Sequence, residues 1–132
     1  MPAGGEPDRA LELFRLAAHL DLDDLTGTTA AGLHLATLGG LWQAVVYGFA
    51  GIRATADALE VDPHLPREWT SVTVRLRWHG RPVQVVTSHD RVDVQCTAAI
   101  PVRVCAQEVA TAEPPGRTWT LMTSTPLQEV LR

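Results

Sequence analysis

The chain has 132 residues, 45% of them hydrophobic and 20% charged, which suits one folded domain and excludes wholesale disorder. Its formal net charge of −4 argues against a nucleic-acid or anionic-membrane partner. All 11 basic residues are arginine, a skew that follows a GC-rich coding sequence and carries no function.

Met1 is followed by Pro2, glycines and acidic residues, not by the basic start and apolar run of a secretory leader. The longest apolar stretch, 33–52, is broken by His34, Gln43 and four glycines, which makes it a poor membrane span. Two cysteines, Cys96 and Cys105, form no CxxC pair and fit a reducing compartment. These features together predict a soluble cytoplasmic domain.

Pro7 suits a first helical turn, with Glu6 and Asp8 complementing the positive helix end. Leu11, Phe14, Ala17 and Ala18 recur at helical spacing, predicting a helix that ends near Leu20, before the acidic run Asp21, Asp23, Asp24. Residues 26–32 read as a turn, with Thr28 or Thr29 as the cap of a second helix over 31–49. That helix is apolar nearly all round, with Leu33, Leu35, Leu38, Leu41, Trp42, Val45, Val46 and Phe49. A helix without a polar face must be covered on every side, so part of its cover is expected from another chain or a further segment.

From Thr70 the period becomes two. Val72, Val74, Leu76 and Trp78 alternate with Thr73, Arg75 and Arg77. Turns at His79-Gly80-Arg81-Pro82 and Ser88-His89-Asp90 separate this strand from strands over 83–87 and 92–96. Further strands are expected over 100–104 and 118–122, and a short helix after Pro126. The fold class is α+β: two helices in 1–51, then an antiparallel β domain in 52–132, one layer of a sandwich.

His19, His34, His64, His79 and His89 show no HxxxH or HxH pairing, so no metal site is expected. The acidic run 21–24 lacks the glycine and distal glutamate of a calcium loop. Cys96 shares parity with the inward valines and reads as a buried thiol, not a nucleophile. Consecutive Ser88, His89 and Asp90 cannot assemble triad geometry. What remains is the turn at Gly27-Thr28-Thr29 with His34, where a helix N-terminus, hydroxyls and an imidazole suit an anion such as phosphate.

The run Leu20-Asp21-Leu22-Asp23-Asp24, then 27–36 (GTTAAGLHLA), Gly39-Gly40-Leu41-Trp42-Gln43, Gly48-Phe49-Ala50-Gly51 and 59–69 (LEVDPHLPREW) resembles glycoside hydrolase family 65. The resemblance covers 8–105, roughly three quarters of the chain. It implies the last helices of an (α/α)6 catalytic barrel followed by the family's C-terminal β domain. It also implies inverting phosphorolysis or hydrolysis of an α-linked disaccharide such as trehalose, maltose or kojibiose. Inorganic phosphate and the disaccharide are then the ligands of the full-length enzyme, and no cofactor is implied. The family's general acid is a glutamate, and no residue here matches its motif, so no catalytic residue is assigned. The resemblance places Thr28, Thr29 and His34 on the phosphate side of the pocket, although relatives often carry asparagine at position 28. The remaining barrel, as missing segment or separate subunit, is the implied cover of the Trp42 helix; homo-oligomers are the other outlet for that surface. The alternative is a stand-alone, non-catalytic β module binding carbohydrate or a protein partner, with Trp69, Trp78 and Trp119 as candidate sugar-stacking platforms, although Trp78 shares the parity of Val72 to Leu76 and reads as core.

Overall fold

The computed structural model describes residues 7–24, 27, 28, 30, 32 and 34–121. Thr29, the end of the predicted strand at Met122 and the predicted helix after Pro126 lie outside them.

Helix α1 spans Pro7–Leu22, opened by Asp8 and closed by His19 in its last turn. It runs two residues further than expected, into the acidic run. There the Asp23 N–H donates to the His19 carbonyl (2.9 Å), and the His19 ring pairs with the Asp23 carboxylate (2.8 Å). Leu11 is buried on its inner face, while Leu13 and Leu16 are each 64% exposed.

Helix α2 spans Leu35–Gln43, with His34 as its N-cap. Thr28 therefore does not cap it, contrary to the expectation from sequence. The reason is Gly32, whose φ of +134° stops a right-handed helix from passing through it. Past Gln43 the winding widens into a π-helical segment, Ala44–Phe49. Val46 and Phe49 are buried there, whereas no residue of α2 is, and Leu35, Trp42 and Tyr47 stand 78%, 55% and 45% exposed. The apolar helix foreseen from the sequence thus lies largely uncovered.

Among the described residues eight strands follow: β1 (Ile52–Ala54), β2 (Leu59–Val61), β3 (Ser71–Trp78), β4 (Arg81–Ser88), β5 (Arg91–Cys96), β6 (Ile100–Val104), β7 (Ala110–Ala112) and β8 (Gly116–Thr120). They form two four-stranded sheets ordered β1-β2-β6-β7 and β3-β4-β5-β8. The second is antiparallel throughout, as the alternating pattern predicts. The first contains a parallel pair, β2 with β6 (Leu59↔Val102, Val61↔Val104), the one departure from the antiparallel pairing expected of this domain among the described strands. The two sheets share one core, including Leu59, Val61, Ile100, Val102 and Val104 from one and Val74, Val83, Val85, Val92 and Val94 from the other. Burying such side chains drives the layers together at roughly 25 cal/mol per Å² of apolar surface.

A smaller cluster docks α1 on the sandwich: Leu11, Phe49 and Leu65, with Phe14 and Trp69 against them. Two polar contacts clip the same junction. Asp8 accepts from the Arg67 N–H (2.8 Å), and Arg15 pairs with Glu68 (2.6 Å).

Candidate functional site

The chain from Gly27 to His34 leaves the end of α1 and enters α2. The Gly27 N–H donates to the Asp24 carbonyl (2.9 Å), turning the backbone, and His34 closes the loop as N-cap while its carbonyl accepts from Leu38 N–H (3.1 Å). Six residues apart in sequence, Thr28 Oγ1 and His34 Nε2 stand 3.3 Å apart. Thr28 is exposed and His34 half-buried, so a hydroxyl and an imidazole face solvent at the start of a nine-residue helix. That arrangement presents hydrogen-bond donors beside a positive helix end, the ingredients of an oxyanion contact. Of the sequence-predicted residues, the structure brings Thr28 and His34 together.

A second polar cluster was not foreseen. On the outer face of the first sheet, Arg53 of β1 pairs in register with Glu60 of β2, which pairs with Arg103 of β6. Arg103 and Glu60 form a salt bridge of 2.6 Å. The legible signal is that each of these short strands carries one charge between two apolar residues: Ile52-Arg53-Ala54, Leu59-Glu60-Val61 and Val102-Arg103-Val104. Only the strand register shows that the three charges form one row.

The other candidates fall away on geometry. Trp78 is 7% exposed and belongs to the core, as its strand parity predicts; Trp119, 8% exposed, is core as well, and Trp69 sits edge-on to Phe14 and Phe49, so these two are packing residues and not the stacking platforms considered. Ser88 Oγ donates to Asp90 Oδ1 (2.7 Å) inside a tight turn, while His89 is exposed. Among the described residues no group of three or more His, Cys, Asp or Glu side chains can hold a metal ion. Nor is any described helix long and apolar enough to cross a membrane.

Both cysteines are free, Cys96 buried and Cys105 exposed. Partial burial of the Cys105 thiol, then its hydrogen bond to Asp62 and that carboxylate's charge, push its pKa up to about 11. The thiol is therefore protonated at neutral pH and a poor nucleophile. Iodoacetamide is expected to label Cys105 slowly at neutral pH and faster as pH rises toward that value, with Asp62→Asn recovering part of the reactivity. Cys96 should label only after unfolding. Rapid labelling of Cys105 at neutral pH, followed by peptide mass, would contradict this.

Residues 52–110 match the sequence model of the glycosyl hydrolase family 65 C-terminal domain. The chain belongs to glycosyl hydrolase family 65, through its C-terminal domain. Beyond that domain the likeness reaches into the helices. The chain is 41% identical to the kojibiose phosphorylase of Halothermothrix orenii over 68% of its own length and 12% of that protein. It is 44% identical to an alpha,alpha-trehalose phosphorylase of Geobacillus stearothermophilus over 61% of its length and 11% of that protein. With the maltose phosphorylase of Bacillus subtilis it shares 34% identity over 76% of its length and 13% of that protein. The family 65 chain thus spans about an eighth of the curated relatives it matches. A solved structure, a putative kojibiose phosphorylase from the human microbiome, superimposes with a TM-score of 0.73 at 22% identity, over 83% of this chain and 16% of that one. That likeness establishes the fold alone.

Proposed function

We propose that this chain works within a family 65 catalytic unit that cleaves an α-linked disaccharide with inversion, by phosphorolysis or hydrolysis. In this reading residues 1–51 complete the (α/α)6 barrel, residues 52–132 form the adjoining β domain, and the loop 27–34 lines the phosphate side of the pocket. The observation that carries it is the 3.3 Å approach of Thr28 Oγ1 to His34 Nε2 at the start of α2. The phosphorylase names of its relatives and the uncovered apolar face of α2 support it. Phosphate attacks the anomeric carbon from the face opposite the leaving oxygen, which a carboxylic acid must protonate. Thr28 and His34 would hold phosphate oxygens in line for that attack, and Thr29 is proposed beside them. The proton comes from a glutamate that no motif in these 132 residues matches, and the working location is the cytoplasm.

The isolated chain is accordingly expected to turn over no disaccharide. In the complete catalytic unit, His34→Ala should raise KM for phosphate about tenfold or more, the cost of one charge-assisted contact, with a smaller change in KM for sugar. An unchanged KM for phosphate in His34→Ala and Thr28→Val would sink the site assignment. Disaccharide cleavage by the isolated chain, abolished by His34→Ala, would overturn the division of labour.

A further inference from the structure

The row Arg53–Glu60–Arg103 is the floor of a cleft of about 310 Å³, walled by Asp62 and His64 and roofed by Tyr47 at the end of the π segment. Its size lies at the low end for small-ligand cavities, room for about one sugar ring. The roof is tied to the wall by the backbone, because Asp62 N–H donates to the Gly51 carbonyl (3.0 Å) and His64 N–H to the Phe49 carbonyl (2.8 Å). The cleft is thus preformed.

We propose that this cleft is a non-catalytic site for a neutral polyhydroxy ligand of monosaccharide size, distinct from the loop at Thr28 and His34. The charges select this class. The lining carries two guanidinium groups and two carboxylates, Arg103 pairing with Glu60 and the His64 ring lying 3.4 Å from Asp62, so an anion would meet Glu60 and Asp62, and a cation would meet Arg53 and Arg103. A neutral polyol suffers neither repulsion. Each planar guanidinium or carboxylate can instead engage two neighbouring hydroxyls in a fork. The partly exposed Tyr47 ring offers the apolar wall against which the C–H face of a sugar packs. Fold stability does not account for the row, because ion pairs as exposed as Arg103–Glu60 stabilise little.

The test is a titration of the full 132-residue chain with D-glucose, followed by amide chemical shifts. Saturable, millimolar shifts at Arg53, Glu60 and Arg103 are expected, weakened about tenfold or more in Arg53→Ala and in Tyr47→Ala. Arg53 is exposed, so its truncation should leave the fold intact, as an unchanged spectrum elsewhere would confirm. His34→Ala should leave glucose binding unaltered, which separates this site from the proposed phosphate loop. No saturable shift at these residues, or inorganic phosphate binding there in place of glucose, would overturn the assignment.

Discussion

Gly51→Ala should destabilise the chain by about 2–5 kcal/mol and lower its urea midpoint sharply. Gly51 sits at φ +65°, where an L side chain costs about 1–2 kcal/mol. A β-carbon there would also stand 1.7 Å from the Asp62 carbonyl oxygen. That atom is backbone and cannot swing aside, so the contact between the helix end and the strand exit must open. Opening it stretches the hydrogen bond from Asp62 N–H to the Gly51 carbonyl and costs a further 1–3 kcal/mol or so, as in overpacked cores. Gly39→Ala is the control. Gly39 lies inside α2 with nothing within 4 Å of its would-be β-carbon, and there alanine should raise helix stability by about 0.5–1 kcal/mol. Equal urea midpoints for the two variants would show that the close approach at Gly51 is not what makes glycine necessary.

Phe49→Ala should cost about 3–5 kcal/mol and release α1 from the sandwich. Phe49 is 1% exposed and stands between two other rings, 5.9 Å from Phe14 at 83° and 4.8 Å from Trp69 at 61°. These edge-on pairs add to the area term, and the space left cannot be refilled by Leu11 and Leu65 without moving the helix. The exposed clips at Asp8–Arg67 and Arg15–Glu68 are too weak to hold α1 alone. Hydrogen exchange should therefore show amides of 7–22 losing protection while those of β4 and β5 keep theirs. Phe49→Leu, which keeps most of the volume, should be much milder. Uniform loss of protection across all strands would mean that helix and sandwich unfold as one unit.

The strands β3 to β5 were legible in the sequence because each is long enough to show its period and each turn carries its own chemistry. β1, β2 and β7 were not, since three residues hold no period and their pairing is non-local. The start of α2 was misplaced because the threonines at 28 and 29 look like caps, while the conformation of Gly32 decides the matter. A sequence apolar on all sides also carries no phase from which to read the π winding of 44–49. The pair Thr28 and His34 was readable as a motif before its distance was known. The row Arg53–Glu60–Arg103 was not, because it exists only once β2 lies between β1 and β6.

The parallel pairing of β2 with β6 also sets an order of assembly. Glu60 and Arg103, partners across that pair, are 43 residues apart, and β3, β4 and β5 lie between them in the chain. The intervening hairpins close over short loops and can form early, whereas β2 has no sheet to join until β6 has been made. Leu59 and Val61, fully covered at the end, spend that interval in water. As the chain emerges from the ribosome, the first sheet is thus nucleated from its later half, and the hairpin of β1 and β2 is the segment most exposed to mispairing while it waits.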